Sequence, residues 1–378
     1  MVKISPFSSL RPSKELASKV PTKAYNQYSK EEIQKEKESN KYSFLNIIDL
    51  KKESNNTTNY TIIKNKIDDF KAKNILQLND KRSFYIYQQG SHKNIFTGLI
   101  CAVSLEDYKN KKIKIHEKTI EKREILFAKY LSITKIHAEP VLLTYSGKGY
   151  ISDNMMLAHN KLYDFKDKEG VSHKIWKIDE DHNIKKIIDI FKQIDSLYIA
   201  DGHHRMASSA RHKNNQTCLA YILPKQQLKA HPFHRILSSK IEYKQLIKKM
   251  SHIGEVQIIK KPKKNSQNIQ FFTNKKWHII IDKNQSQNLL VEKLMQNILK
   301  PIFKIHDERN NKKIRFAPGT QSIPIILDQL KTNEIFFLMT TIEIDTIISI
   351  ANKKRTTPPK STFILPKIPS GLIMMELQ

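Results

Sequence analysis

The stretch that decides the fold reads YIADGHHRMA, residues 198–207. An apolar run ends at Ala200, and polar or flexible residues follow it at once. The apolar run is typical of a buried strand, Gly202 of a turn, and residues 206–211 of a helix that begins just after the histidines. Such a turn carries an acid, two imidazoles and a guanidinium to a helix N-terminus, where N–H groups and the helix dipole favour anions. The sequence therefore predicts a phosphate or carboxylate site at this turn.

Apolar patterns on both sides of the turn predict a mixture of strands and helices. Strands are predicted at residues 42–48, 83–88, 95–103, 141–145, 173–178 and 218–223, and a strand-and-helix pair is predicted at residues 336–351. Helices are predicted at residues 30–38, with a capping box from Ser29 to Glu32, and at 60–73, 184–193 and 289–299. We expect an α+β fold of mixed sheets with flanking helices. It would divide into an N-terminal domain, residues 1–245, and a smaller C-terminal domain, residues 246–378, with a lysine-rich hairpin at 256–281.

The charge of the chain has a compositional explanation. The net charge is +29 over 378 residues, and clustered Lys and Arg are what a nucleic-acid binder needs. Lysine is spread through every region, however, usually beside Asn and Ile, which A+T-rich codons also encode. Basic runs such as residues 260–264 contain no aromatic side chains that would stack on bases. Specific nucleic-acid binding is therefore disfavoured.

The sequence contains neither an apolar run that would span a membrane nor a recognisable signal region. No apolar run approaches the roughly 18 residues of a membrane span, and Pro6 and Pro12 interrupt the N-terminus before a signal region could form. We therefore expect a cytoplasmic protein with no membrane association.

Cys101 and Cys218 each lie in an apolar segment, which is typical of reduced core thiols and not of a disulfide or a metal cluster.

Four side chains of the turn can take part in chemistry. Asp201 can accept a proton or hold Mg²⁺, while His203 and His204 titrate near neutral pH. Arg205 can bind an oxyanion through two N–H groups. Because adjacent residues at a helix start point in different directions, we expect only one histidine to face a ligand. The alternative is that His204 and Arg205 only cap and pair locally.

Two further elements carry candidate site residues. Glu117 beside His116 can form a general base with its supporting group, although the lysines around them are equally typical of a solvated surface. A zinc-protease motif is excluded, because position 120 is Ile and not His. The basic candidates for anion contact are Arg235, which follows a strand, and three residues of the proline-rich segment 358–367: Lys360, Ser361 and Lys367.

These elements resemble, in order and over nearly the whole chain, the bacterial domain of unknown function 1015 (DUF1015) family. The elements are residues 6–7, 10–12, 42–45, 116–117, 163–165, 198–205, 359–363, 366–367 and 370–372. The glycine-histidine-histidine-arginine turn also resembles the ParB/sulfiredoxin-like superfamily, which includes free serine kinases and chromosome-partition proteins. Two positions depart from the expected pattern: Asn26 stands where an aspartate is expected, and Thr357 where a methionine is expected. If that aspartate is catalytic in relatives, its absence weakens the case for an enzyme.

The resemblance implies a ParB/sulfiredoxin-like element around the turn and phosphoryl transfer on serine or phosphoserine. In this picture Gly202 and the helix start cradle the phosphoryl group and Arg205 neutralises its charge. Asp201, with one of the two histidines, positions Mg²⁺ or the attacking hydroxyl. Glu117, supported by His116, is the general base.

The direction of the reaction and the oligomeric state stay open at this point. A phosphatase would use water, and a kinase would use AMP, ADP or ATP as the phosphoryl partner. No Walker-type loop is present in the sequence, which excludes a conventional P-loop kinase. Two other classes of function compete with the enzyme. One is a ParB-like nucleic-acid-binding protein, and the other is a non-catalytic sensor or scaffold that binds serine or phosphoserine.

Overall fold

The chain forms two compact units. The computed structural model describes residues 1–49, 56–91, 94–147, 161–212, 215–282, 288–309 and 311–377. Unit 1 comprises Met1–Ile115, Thr119–Leu228 and Pro366–Gln378, and unit 2 comprises His116–Lys118 and Lys229–Leu365. The division into domains of residues 1–245 and 246–378 stays a prediction.

Strands and helices alternate irregularly along the chain, which confirms the expected α+β class. The strands are β1 Ile4–Ser5, β2 Ser9–Pro12, β3 Leu76–Leu78, β4 Phe84–Ser91, β5 Asn94–Ser104, β6 Ile113–Lys114, β7 Ile136–His137, β8 Val141–Tyr145, β9 Lys161–Lys166, β10 Ser172–Ile178, β11 Leu197–Asp201, β12 Thr217–Pro224, β13 Lys229–Ser238, β14 Gly254–Ile259, β15 Ile269–Thr273, β16 Lys276–Asp282, β17 Ile314–Pro318, β18 Glu334–Leu338, β19 Thr362–Leu365 and β20 Met374–Glu376.

Both units also contain helices. They are α1 Lys30–Ser39, α2 Leu45–Ile48, α3 Asn56–Ala72, α4 Leu105–Lys109, α5 Glu121–Thr134, α6 Asp181–Lys192, α7 His203–Arg211, α8 Tyr243–Met250, α9 Leu290–Leu294, α10 Ile323–Asp328 and α11 Ile344–Asn352. The 3₁₀ turns are Lys14–Leu16, Tyr25–Gln27 and Lys225–Gln227, and a π-helical turn, Met295–Leu299, continues α9.

Unit 1 contains two sheets within the described residues. The larger has the order β6-β11-β8-β12-β5-β4-β10-β9, with β1 added against β5, and the smaller has the order β3-β2-β20-β7. In the larger sheet β11 runs parallel to β6 and antiparallel to β8. Because β8 is antiparallel to β11, the start of β8 lies beside the end of β11. The candidate turn is at these two strand ends.

Strand β11 is apolar throughout because both of its faces are covered. Leu197 and Ile199 belong to the main core of unit 1, and Ile187 and Phe191 of α6 pack into the same core. Tyr198 and Ala200, on the other face, are also buried. A strand buried on both sides has a continuous apolar run instead of alternation. Its first partly exposed residue is Asp201, which therefore marks the point where the sheet ends and the site begins.

Unit 2 is built on one sheet in the part of the chain that the structure describes. Its order is β14-β16-β15-β18-β13-β17, and β19 pairs with the first half of β13. Ile236, Trp277, Ala317, Ile326 and Phe336 form its apolar centre. The predicted lysine-rich hairpin at residues 256–281 is a three-strand arrangement, in which β16 pairs with both β14 and β15.

Most predicted elements are confirmed, and one strand is wrong. The capping box is present: Ser29 Oγ accepts from the Glu32 N–H at 3.1 Å, and Glu32 Oε2 accepts from the Ser29 N–H at 2.7 Å. The strand predicted at residues 42–48 is instead the short helix α2. Phe44, Leu45 and Ile47 are all buried there, a spacing that fits one side of a helical turn and not an alternating strand. Cys101 and Cys218 are free, buried thiols.

Candidate active site at the end of strand β11

The turn after β11 requires a glycine at position 202. Gly202 has φ +98°, a left-handed conformation that is costly for other residues, and it directly precedes α7. Helix α7 begins at His203, earlier than the sequence predicted. A Cβ atom added to Gly202 would lie 3.0 Å from Nε and Nη2 of Arg205. The glycine therefore provides both the turn and the space that the Arg205 guanidinium occupies.

Asp201 is an ionised carboxylate with a lysine beside it. Lys367 Nζ donates to Asp201 Oδ2 at 2.8 Å, and both side chains are partly exposed. Burial acts to raise the pKa of Asp201, but the charges of Lys367, Arg205 and His203 and the hydrogen bond from Lys367 hold it well below its usual value. Asp201 therefore carries a negative charge at any physiological pH. The structure brings Lys367 and the Asp201 turn together from positions far apart in the sequence.

Arg205 is anchored through a single nitrogen. Its Nη1 donates to the Pro140 carbonyl at 2.6 Å and lies 2.7 Å from Glu139 Oε1. Within the described residues, Nε and Nη2 donate no hydrogen bond, and 17% of the side chain is exposed. Nε and Nη2 form the fork that commonly binds two oxygens of a carboxylate or phosphate. Arg205 thus pairs with residues far away in the sequence and still presents an edge suited to an oxyanion.

The two histidines of the turn have different environments. His204 Nε2 accepts the N–H of Ile120 at 3.0 Å, and Ile120 is the residue that precedes α5. An imidazole nitrogen that accepts a hydrogen bond carries no proton, so a neutral His204 has its proton on Nδ1. His203 is buried, and its charge is one of those that lower the pKa of Asp201. His204 therefore tethers α5, whereas His203 is buried and acts on Asp201 through its charge.

Glu139 is a site residue that sequence reasoning missed. Besides its ion pair with Arg205, Glu139 Oε2 accepts from Ser370 Oγ at 3.2 Å. Burial raises the pKa of Glu139, and the charge of Asp201 adds to this, while Arg205, Ser370 and Lys367 oppose it. Two carboxyl groups, Asp201 at the end of β11 and Glu139 before β8, thus have pKa values that are shifted in opposite directions. Such a pattern is typical of acid and base partners. The sequence signal was limited to an acid two residues before the buried strand β8.

The second group of predicted residues lies in unit 2. His116 is buried, and its carbonyl accepts from the Thr357 N–H at 2.8 Å and from Thr357 Oγ1 at 3.2 Å. Thr357 stands where a methionine was expected, and its hydroxyl makes a contact that a methionine side chain lacks. Glu117 forms a β-bridge with the same threonine. The neighbouring Glu117 charge also acts to raise the pKa of Arg235.

Arg235 is enclosed by acceptors in unit 2. Its Nε donates to Glu308 Oε2 at 2.8 Å, Nη1 to the Phe233 carbonyl at 2.8 Å, and Nη2 to the Pro359 carbonyl at 3.1 Å. Neither Arg235 nor Glu308 has exposed side-chain surface. Burial lowers the pKa of Arg235, and the two glutamates Glu308 and Glu117 oppose that effect. Arg235 thus links the Pro-Pro-Lys-Ser element to the sheet of unit 2.

Lys360 and Ser361 follow directly in the same element. Lys360 has φ +54°, and its Nζ lies 5.1 Å from the centroid of the Phe233 ring. Ser361 is buried, and its hydroxyl donates to the Pro358 carbonyl at 2.6 Å. A cavity of about 430 Å³ lies beside them, and residues that line it include Arg235, Ser361, Leu290, Val291, Thr340 and Ile342.

For the Mg²⁺ ion predicted at Asp201, the described residues supply few ligands. Among the described residues, no group of three or more His, Cys, Asp or Glu side chains could hold a metal ion. Asp201 offers one carboxylate, whose Oδ2 is bonded to Lys367. Mg²⁺ is usually held by one or two carboxylates together with substrate phosphates and water. With this single carboxylate, a Mg²⁺ site at Asp201 would need further ligands from a phosphate and water. No described helix is long and apolar enough to span a membrane.

Comparison with known proteins gives a match to a family and matches of low similarity to solved structures. SbnI from Staphylococcus aureus has a TM-score of 0.43 and 11% identity, over 70% of this chain and 82% of its own. A free serine kinase in complex with AMP has a TM-score of 0.40 and 13% identity, over 74% and 91% of the two chains. A conserved hypothetical protein from Pyrococcus furiosus has a TM-score of 0.38 and 13% identity, over 74% and 95%. Values this low transfer no activity to this chain.

The family match is the more informative finding. No curated protein matches the sequence. The model of the family described as "protein of unknown function (DUF1015)" matches residues 4–303, which include the whole of the Asp201 turn. The chain therefore belongs to the DUF1015 family.

Proposed function

We propose that this protein is a phosphoryl-transfer enzyme that acts on free serine or phosphoserine at the Asp201 turn. The observation that supports the proposal best is the Arg205 guanidinium, which is anchored through Nη1 and keeps its Nε and Nη2 edge beside Gly202. That edge lies at the N-terminus of α7, where backbone N–H groups and the helix dipole also favour an anion. The identity of the substrate, serine, comes from the motif resemblance.

The residues of unit 1 take complementary roles in this proposal. Arg205 binds two phosphoryl oxygens and stabilises the charge that they gain in the transition state. Lys367 keeps Asp201 ionised, so that Asp201 can orient the serine hydroxyl or ammonium group. His203, next to Asp201, is the histidine that faces the ligand. Mg²⁺, held by Asp201 together with the phosphate, would neutralise phosphate charge when bound.

For unit 2, the hypotheses made from the sequence stay as they were: Glu117 as a general base with His116 in support, and Lys360 and Ser361 as anion contacts. A nucleotide, AMP, ADP or ATP, is the phosphoryl partner in the kinase form of the reaction, and water is the partner in the phosphatase form.

The test is turnover by the purified protein. O-phosphoserine with Mg²⁺, alone and with AMP or ADP, and serine with ATP are incubated while serine, phosphate and nucleotides are quantified. We expect Arg205→Ala to lower kcat/KM by on the order of 10²- to 10³-fold, the usual effect of losing one donor to a developing oxyanion. Arg211→Ala is the matched control, because Arg211 lies on the same helix, is itself exposed and pairs with the glutamates Glu121 and Glu124 of α5.

The outcomes separate the competing functions. If serine, phosphate and nucleotide never change, the enzyme proposal fails. Saturable binding of phosphoserine without turnover would then identify a sensor. Binding of DNA that weakens steeply with salt would identify the nucleic-acid alternative. Turnover that Glu117→Gln leaves intact would remove Glu117 as the general base.

A further inference from the structure

The Arg205 guanidinium is held on one side only, which makes its direction depend on few contacts. The Pro140 carbonyl and Glu139 Oε1 both contact Nη1, at 2.6 Å and 2.7 Å. The carbonyl is part of the backbone, so Glu139 is the one charged side chain in this anchor. A guanidinium bound at one nitrogen can still rotate about it unless the partner is itself fixed.

Glu139 is fixed through its second oxygen. Ser370 Oγ donates to Glu139 Oε2 at 3.2 Å. Ser370 in turn is held by a β-bridge to Thr22, with N–H to carbonyl distances of 3.1 Å and 2.8 Å in the two directions. The backbone of the C-terminal segment, Pro366–Gln378, therefore holds Ser370 in place. Ser370 holds Glu139 through its hydrogen bond, and Glu139 holds Arg205 through the ion pair.

The C-terminal segment thus reaches both carboxylates of the site. Lys367 contacts Asp201, and Ser370 contacts Glu139 three positions later. Both residues belong to unit 1, although the rest of that unit comes from the first 228 residues. A segment that meets the two acids in this way sets their positions relative to the turn.

We propose that Glu139 is a positioning residue that directs the Nε and Nη2 edge of Arg205 at the bound oxyanion, with Ser370 holding Glu139 in place. The inference rests on the proposed function in taking that oxyanion to be a phosphoryl group. Glu139 does not touch the substrate in this arrangement. Its whole effect passes through Arg205, and this gives a test that a general effect on folding would not satisfy.

The test is a double-mutant cycle measured as binding of inorganic phosphate by calorimetry. Glu139→Ala is expected to raise the phosphate Kd by roughly 10- to 100-fold, because hydrogen bonds between charged groups contribute about that much. Glu139→Gln keeps an acceptor oxygen at the same reach, so its Kd should lie between those of Glu139→Ala and the wild type. In an Arg205→Ala background, Glu139→Ala should have no further effect.

Glu376→Ala is the matched control for the loss of an acid. Glu376 pairs with Lys71 at 2.7 Å with 32% of its side chain exposed, against 22% for Glu139, and among the described residues it forms no hydrogen bond or ion pair with the Asp201 turn. This variant should bind phosphate like the wild type. Thermal unfolding of each variant shows whether it is folded, and Glu139→Gln still tests the inference if Glu139→Ala does not fold.

The outcomes distinguish this inference from the proposed function. Coupled losses in a protein that never turns over serine or phosphoserine support the positioning role and defeat the proposed function. Additive losses in a protein that does turn over serine or phosphoserine support the proposed function and defeat the positioning role. The inference is also overturned if the wild type binds no phosphate, or if Glu139→Gln weakens binding as much as Glu139→Ala.

Discussion

Arg205 in unit 1 and Arg235 in unit 2 both pair with a glutamate, yet their guanidinium groups are used differently. Arg205 makes its contacts through Nη1 alone, and 17% of its side chain is exposed. Arg235 donates from all three nitrogens and has no exposed side-chain surface. A guanidinium with a remaining open edge can bind an oxyanion, whereas one enclosed by acceptors holds the fold together. What separates the two arginines is how many nitrogens the fold already uses.

The largest effect should come from breaking the enclosed pair. Arg235→Met leaves Glu308 buried without its cationic partner, which typically costs about 3–5 kcal/mol of unfolding free energy. Glu308 is 1% exposed, so water cannot replace the lost contact. Arg205→Met should lower the unfolding free energy much less, because Glu139 is partly exposed. Urea unfolding of the two variants makes the comparison.

A second variant keeps this prediction sharp. Replacing both members, Arg235→Met with Glu308→Leu, should recover much of the lost stability, since no unpaired charge stays buried. If Arg235→Met is as stable as the wild type and binds phosphate more weakly, the difference between the two arginines disappears. Arg235 would then be the anion contact that the sequence predicted.

The Asp201 turn could be predicted because its signals are local. An apolar run, a glycine and a helix start lie within a few residues, so strand β11, the turn at Gly202 and helix α7 could be predicted from the sequence, although α7 begins at His203 and not after the histidines. The capping box at Ser29 and Glu32 was predictable for the same reason. Glu139 was not, because its meeting with Arg205 depends on the antiparallel pairing of β8 with β11, between residues about 60 positions apart.

The two arginines could not be told apart for a related reason. A sequence shows the charge of Arg235 but not the carbonyls and the glutamate that enclose it. Those acceptors come from Phe233, Glu308 and Pro359, which only the folded sheet brings together. The strand predicted at residues 42–48 was wrong on similar grounds, since burial of neighbouring Phe44 and Leu45 depends on what packs around them.

A smaller effect is expected from closing the space beside the open edge of Arg205. Gly202→Ala should lower the unfolding free energy by about 1–2 kcal/mol, because a left-handed conformation is costly for alanine. The added Cβ would also lie 3.0 Å from Arg205 Nε and Nη2, so phosphate should bind more weakly. Calorimetry with inorganic phosphate and urea unfolding measure the two effects separately.

Gly170→Ala is the matched control for the strain alone. Gly170 also has a positive φ, +78°, and nothing lies within 4 Å of an added Cβ. This variant should lose stability in the same range and keep the phosphate affinity of the wild type. Equal losses of phosphate affinity in both variants would show that Gly202 matters only through its backbone and not through the room it leaves for Arg205.

The smallest effect concerns the lysine that keeps Asp201 charged. The pKa of Asp201 is below its usual value in the folded protein, so its ion pair stabilises the fold above the unfolded-state pKa of about 3.9 and loses that effect as pH falls toward the folded pKa. Lys367→Met should therefore cost stability at pH 7 and cost progressively less below about pH 4. Because both side chains are partly exposed, the cost at pH 7 should stay below about 1 kcal/mol. Thermal unfolding of the variant and the wild type between pH 3 and 7 measures it. In an Asp201→Asn background the same substitution should have no pH-dependent effect, and a pH dependence that survives there would mean that Lys367 stabilises the C-terminal segment through another group.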